Sequence, residues 1–115
     1  MTLTGKTLLS VAALVALAGP AAAADRLPDT AYLQATRCQA LATASGADAS
    51  ALAATLKAQR GGRDAYINDR ARSISRETPR EFSRAGAAQR DRMSAELNGV
   101  CASYLASSAE LAVRR

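Results

Sequence analysis

The sequence predicts an all-α protein, a small bundle of three to four helices stapled by one disulfide between Cys38 and Cys101. Three observations support this prediction. After residue 24, apolar residues recur every three or four positions, and no segment alternates as a strand does. The chain has 115 residues, which leaves one small helical domain over residues 25–115. Its two cysteines are far apart, and no third thiol is left over.

The first 24 residues have the pattern of a cleavable secretory signal. Lys6 provides a short positive region, an apolar run follows over residues 8–18, and Ala22 and Ala24 supply the small side chains of a cleavage site before Asp25. This run is too short to span a bilayer, which takes about 20 apolar residues. We therefore expect a periplasmic or secreted protein with no transmembrane segment in its mature chain.

Export determines how the cysteines are interpreted, because disulfides form in oxidising compartments. A redox-active pair normally has the spacing C-x-x-C, and a zinc site needs about four ligands. The chain has no histidine and only two cysteines, 63 positions apart. We therefore predict a structural Cys38–Cys101 disulfide, no bound metal and no cofactor.

Asp29 or Thr30 can cap the first predicted helix, which runs to about Ala44. One apolar face of this helix contains Cys38, which we expect to point inward. A second apolar strip lies on the opposite side and consists of Leu33, Ala40 and Ala44. Two such strips predict a helix that is covered on two sides.

The next segment contains signals for a helix end and a helix start. Ser45 and Gly46 are expected to end the first helix, with Gly46 in the left-handed conformation. Asp48 is a suitable N-cap for a second helix.

Two adjacent glycines, Gly61 and Gly62, predict a break after the second helix. Inside a helix they cost about 2 kcal/mol relative to alanine. A third helix is then expected from residue 63 or 64 to residue 76, and a single bent helix over residues 48–76 is the alternative.

The segment Thr78-Pro79-Arg80-Glu81 predicts the start of the last helix. A threonine N-cap, a proline at the first helical position and a glutamate at the third form a capping box. The apolar stripe that follows reaches Tyr104. We therefore expect this helix to run to about Leu105, through the turn-type pair Asn98-Gly99.

The sequence offers no catalytic constellation. Without histidine there is no Ser/His or Cys/His nucleophile, and neither a zinc-protease motif nor a glycine-rich phosphate loop occurs. Four carboxylates of the middle segment each lie near an arginine, as is typical of surface ion pairs: Asp64, Asp69, Glu77 and Glu81. We expect a protein that is not an enzyme.

The arginine-rich middle is the candidate functional feature. The chain carries 15 Lys and Arg against 10 Asp and Glu, a net charge of +5. Arginine binds carboxylates and phosphates with two parallel hydrogen bonds. The candidate residues for binding an anion or a partner are Arg63, Arg70, Arg72, Arg76, Arg80 and Arg84. A solvated surface is the alternative, since acidic residues are interleaved, and export and the few aromatic residues argue against nucleic acid as a partner.

In outline, the chain resembles two groups of exported bacterial proteins, small acid-stress periplasmic chaperones and small helical immunity proteins. The likeness consists of the signal, the length, the helices and two distant cysteines, and it assigns no functional residue. We expect a non-enzymatic inhibitor, immunity protein or adaptor that binds a protein or an anionic component of the bacterial envelope, with homodimerisation as a further interaction. The alternative is an acid-stress chaperone that opens when its carboxylates are protonated and its arginines repel each other.

Overall fold

A computed structural model describes residues 26–114, and these residues form five helices with no strand among them. In chain order the helices are α1 (Asp29–Ala44), α2 (Ser50–Ala58), α3 (Ala65–Arg84), α4 (Ala87–Asn98) and α5 (Val100–Arg114). The all-α fold class is confirmed, whereas the predicted count of three to four helices is wrong. The predicted signal peptide, residues 1–24, and its cleavage point before Asp25 lie outside the described residues.

Helix α1 is the centre of the bundle, because it contacts each of the other four helices. Its buried residues meet apolar side chains from α2, α3 and α5, among them Leu52, Ala71 and Cys101. The second apolar strip is also covered, since Ala40 is buried and Leu33 packs against the core. The predicted two-sided covering of this helix is therefore confirmed.

The predicted disulfide between Cys38 and Cys101 is present. The two Cα atoms are 5.2 Å apart, and both residues are fully buried. The bond joins the middle of α1 to the first turn of α5. It therefore connects the central helix directly to the C-terminal part of the chain.

The end predicted for the first helix, at Ala44, is confirmed, and it is a Schellman motif. The backbone N–H of Ala47 donates to the carbonyl of Ala42 at 2.8 Å, and that of Gly46 donates to the carbonyl of Thr43 at 3.1 Å. Gly46 has a φ of 90°, as predicted. At the other end the N-cap is Pro28, so neither residue expected to cap the helix does so.

Helix α2 begins one residue later than the sequence predicts. Its N-cap is Ala49, and the Oδ1 atom of Asp48 accepts hydrogen bonds from the backbone N–H of Ser50 at 3.0 Å and from its hydroxyl at 2.7 Å. These two hydrogen bonds, the backbone one first, lower the pKa of Asp48 below its ordinary value. Asp48 thus supports the helix start from just outside it.

The predicted glycine break separates α2 from α3. Helix α2 ends at Ala58 and α3 begins at Ala65, so the alternative of one bent helix over residues 48–76 is wrong. Gly62 adopts a φ of 78°, which residues with a Cβ rarely adopt.

The predicted helix start at Thr78-Pro79 is wrong, because α3 continues through this segment to Arg84. Proline removes one helical hydrogen bond, here to the carbonyl of Ser75, and such a position usually breaks a helix. Tertiary contacts override this cost. Thr78 is buried, and Glu81 pairs with Arg37 of α1 at 3.0 Å, so this half of α3 remains attached to the central helix.

The long helix predicted up to Leu105 is instead divided into the end of α3, α4 and α5. Extended backbone at Ala85 and Gly86 separates α3 from α4, and Gly99 separates α4 from α5. The apolar period continues across both breaks, so it gave no indication of them. The turn-type pair Asn98-Gly99, through which the helix was predicted to pass, marks the second break.

Candidate functional site

An open groove lies between α1, α2 and α3. Its volume is about 440 Å³, within the range of about 300–1,000 Å³ that is usual for ligand-binding pockets. The floor includes Tyr32 and Thr36 of α1, Leu56 of α2 and Ala71 of α3, all of which are buried. We call this feature the cationic groove, because of the charges along its sides.

Four cations line the sides of the cationic groove. Lys57 and Arg60 lie on the α2 side, whereas Arg72 and Arg76 lie one turn apart on α3. No carboxylate is among the described residues that line it. Arg72 donates to the exposed Asp69 at 2.8 Å, and the other three cations have no carboxylate within ion-pairing distance in the described part of the chain. The groove therefore has a local excess of positive charge.

Each wall of the groove is one helical stripe. On α3 the lining positions follow the spacing i, i+3, i+4, i+7, i+8, which places them on one face of a helix. These positions are Asn68, Ala71, Arg72, Ser75 and Arg76. The α2 wall follows the same spacing with Ala53, Leu56, Lys57 and, just after the helix, Arg60. The helices thus fix the relative positions of cations and floor.

One polar group at the groove is without a partner. The Oδ1 atom of Asn68 is buried and accepts no hydrogen bond from the described residues. An unsatisfied buried acceptor costs about 1–3 kcal/mol.

The side chain of Arg63, a predicted binding residue, makes its contacts within the protein itself. Its side chain is only 2% exposed and donates to Asp29 at 2.7 Å, to the carbonyl of Leu27 at 2.7 Å and to the carbonyl of Gln59 at 2.9 Å. Its guanidinium carbon lies 4.1 Å from the centroid of the Tyr32 ring. Tyr32 forms part of the floor, so Arg63 supports the groove through its contact with this ring. Arg63 is not among the residues that line the groove.

The structure brings together only two of the six predicted arginines, Arg72 and Arg76, at the groove. Arg70 is exposed and lies away from it. Arg80 and Arg84 line a separate pocket of about 420 Å³ that also contains Glu77 and Glu81, so carboxylates lie among those two cations.

Arg37 joins three helices, a role that no pattern in the sequence predicts. From α1, its Nε atom donates to Glu96 of α4 at 2.7 Å and its Nη2 atom donates to Glu81 of α3 at 3.0 Å. The pKa of Arg37 lies above its ordinary value, mainly because of the hydrogen bond to Glu96. Burial acts in the opposite direction and lowers the pKa. The partners lie 59 and 44 residues away along the chain, beyond the reach of any local pattern.

A second cavity, of about 390 Å³, lies between α2 and α5. Leu52 and Leu111 contribute apolar surface, and serines of α5 contribute hydroxyl groups. Its two charged residues, Glu110 and Arg114, pair with each other at 3.0 Å. This cavity therefore lacks the charge excess that distinguishes the cationic groove.

Comparisons with protein-family models, with curated proteins and with solved structures find no match for this chain. Within residues 26–114, no three His, Cys, Asp or Glu side chains gather closely enough to hold a metal ion. No helix in this range is long and apolar enough to cross a membrane. The function is therefore inferred from the groove and its charges.

Proposed function

We propose that this is an exported, non-enzymatic protein that binds a protein partner in the bacterial envelope through the cationic groove, as an inhibitor, an immunity protein or an adaptor. The observation that carries the proposal is the groove itself. It combines a buried apolar floor with four cations and no lining carboxylate among the described residues. Apolar contact supplies binding free energy, and charge complementarity supplies specificity and a fast association rate.

The support beneath the groove suits a preformed binding surface. Its walls are helices, its central helix is tied to α5 by a buried disulfide, and its floor residue Tyr32 rests on the guanidinium of Arg63. A surface that is already ordered loses less conformational entropy when it binds.

The second apolar strip of α1, which consists of Leu33, Ala40 and Ala44, is a weaker candidate for a partner surface than the groove. Ala40 is buried and Leu33 packs against the core, so much of this strip is covered by the chain itself. The proposal therefore places the partner at the groove.

Site-specific photo-crosslinking in the cell tests this proposal. A benzoylphenylalanine replaces Ser75, an exposed residue of the groove wall, and in a matched control it replaces Ala109, an exposed residue of α5 outside the cavities described above. We expect a discrete adduct with a second protein at position 75 and none at position 109. The proposal is contradicted if position 75 gives no adduct, or if both positions give the same one.

Sequencing of the exported chain from its N-terminus checks export, with Asp25 as the expected first residue.

A second candidate function, acid-stress chaperoning, is favoured by the bridge from Arg37 to Glu81 and Glu96. Both partners of Arg37 are carboxylates, so acid weakens two ion pairs that link α3 and α4 to α1. At about pH 2.5, below the reference pKa values of Asp and Glu side chains, the arginines stay charged and repel each other. We expect dye-accessible apolar surface and protection of an unfolding client protein at that pH. A circular dichroism spectrum and dye fluorescence that do not change between pH 7 and about pH 2.5 would exclude this function.

A further inference from the structure

We propose that the cationic groove accepts an acidic amphipathic segment of its protein partner, with an apolar stripe on the floor and carboxylates on both sides. This inference deepens the function proposed above and rests on it. It follows from the arrangement of charge, because the cations stand on two opposite sides of an apolar floor. Lys57 and Arg60 lie on one side, and Arg72 and Arg76 lie on the other.

The chemistry of the four cations selects carboxylates. Three of the four are arginines, whose planar guanidinium matches the two oxygens of a carboxylate. Arg60 and Arg76 have no ion-pair partner among the described residues, and Arg72 holds only Asp69. Both side chains of that pair are about 70% exposed, so a partner carboxylate can displace Asp69 at little cost.

The floor selects for apolar side chains between those carboxylates. Tyr32, Leu56 and Ala71 are buried at the base of the groove, and the groove is open along its length. An open, apolar floor suits side chains that project from a peptide, as in helix-in-groove recognition. A lipid acyl chain, by contrast, needs an enclosed cavity to be removed from water.

A second copy of this chain is a poor occupant. The whole sequence carries a net charge of +5, and its ten acidic residues are dispersed singly along it. No described segment presents an apolar stripe flanked on both sides by unpaired carboxylates. The segment therefore belongs to a different protein, of acidic character.

Fluorescence anisotropy with the exported protein and a designed peptide tests the inference. The probe is a labelled 16-residue peptide with leucines at the spacing i, i+3, i+4, i+7 and glutamates on the flanking positions, and a scrambled peptide of the same composition is its control. The decisive variant is Arg72→Gln/Arg76→Gln. The matched control is Arg80→Gln/Arg84→Gln, which removes the same charge from the same helix outside the groove.

We expect the groove variant to weaken binding of the designed peptide by about tenfold or more, and the control variant by less than about threefold. Thermal unfolding of both variants checks that neither has lost its fold. Equal weakening by both variants would overturn the inference, since it would indicate a general effect of net charge. Equal binding of the scrambled peptide would also overturn it, because the apolar stripe would then have no role.

Two further arms separate this inference from other occupants and from the proposed function. Binding of anionic phosphatidylglycerol vesicles that is lost in the groove variant, with no peptide binding, would assign the groove to a lipid. Dimerisation lost in the same variant would assign it to a second copy. An adduct at position 75 without peptide binding would contradict the inference that the bound segment is acidic and amphipathic, and would leave the proposed function standing. Peptide binding without an adduct in cells would contradict the proposed function.

Discussion

Arg63 shows how one arginine of a basic segment differs from its neighbours. Its guanidinium contacts an aspartate, two backbone carbonyls and an aromatic ring, and it ties the segment before α1 to the connection between α2 and α3. A lysine at this position cannot reproduce the planar set of donors. The role of Arg63 is therefore structural.

Replacement of Arg63 is expected to be costly. Arg63→Ala should lower the free energy of unfolding by about 2–3 kcal/mol, because two partly buried carbonyls lose hydrogen bonds to a charged group that is itself buried. Arg63→Lys should recover less than half of the loss, whereas Arg70→Ala, at an exposed position, should change stability by less than about 0.5 kcal/mol. Urea unfolding measures the free energy of unfolding of these three variants. Equal effects of the alanine variants at positions 63 and 70 would contradict this account.

Arg37 should stabilise the folded protein over a wide range of pH. Because its pKa is raised in the folded state, its own contribution is complete below the unfolded pKa and is lost only as the pH rises through the folded one, far on the alkaline side.

We therefore expect Arg37→Gln to lower the free energy of unfolding by about 1 kcal/mol at pH 7, since these ion pairs are partly exposed. The difference between wild type and variant should stay the same from pH 7 to about pH 10, because this range lies below both the unfolded and the folded pKa of Arg37. Denaturant unfolding across this range measures it. A difference that disappears by about pH 10 would contradict the role of the charged guanidinium.

At the scale of the helices, local signals identify some boundaries well. The end of α1 depends on Gly46 and its hydrogen bonds with neighbouring residues, and the break between α2 and α3 depends on Gly61 and Gly62. Each of these boundaries is decided within a few residues, so the sequence was sufficient to predict it.

Other boundaries depend on contacts that are distant along the chain. The capping box at Thr78-Pro79 is a strong local signal, yet burial of Thr78 and the ion pair from Glu81 to α1 keep α3 continuous. The start of α4 and the break at Gly99 lie within an apolar stripe that gives no indication of them. For the same reason the sequence could identify Arg72 and Arg76 as candidates but not their association with Lys57 and Arg60 across the groove.

Substitution by alanine should change the stability of the protein differently at Gly61 and at Gly62. Gly62→Ala should lower the free energy of unfolding by about 1–2 kcal/mol, because its φ of 78° is strained for a residue with a Cβ. Gly61→Ala should be neutral or slightly stabilising, since a Cβ there meets no atom within 4 Å. Thermal unfolding distinguishes them. Similar melting temperatures for the two variants would contradict the left-handed role of Gly62.

At the scale of the whole molecule, the disulfide compensates for a small core that contains many alanines. The bond closes a loop with a sequence separation of 63 residues. We expect Cys38→Ala/Cys101→Ala to lower the free energy of unfolding by about 4 kcal/mol in the chain-entropy estimate. Guanidinium unfolding of the oxidised protein and of the double variant measures the difference. A loss below about 1 kcal/mol would mean that helix packing alone holds α1 to α5.

For the molecule as a whole, we propose that a partner binds the surface between α1, α2 and α3. A ¹⁵N-labelled sample titrated with the acidic amphipathic peptide tests it most directly. The account predicts chemical-shift changes concentrated at groove positions such as Thr36, Leu56 and Arg72, with the exposed face of α5 unchanged. Shift changes centred on α5, or spread evenly over the molecule, would contradict it.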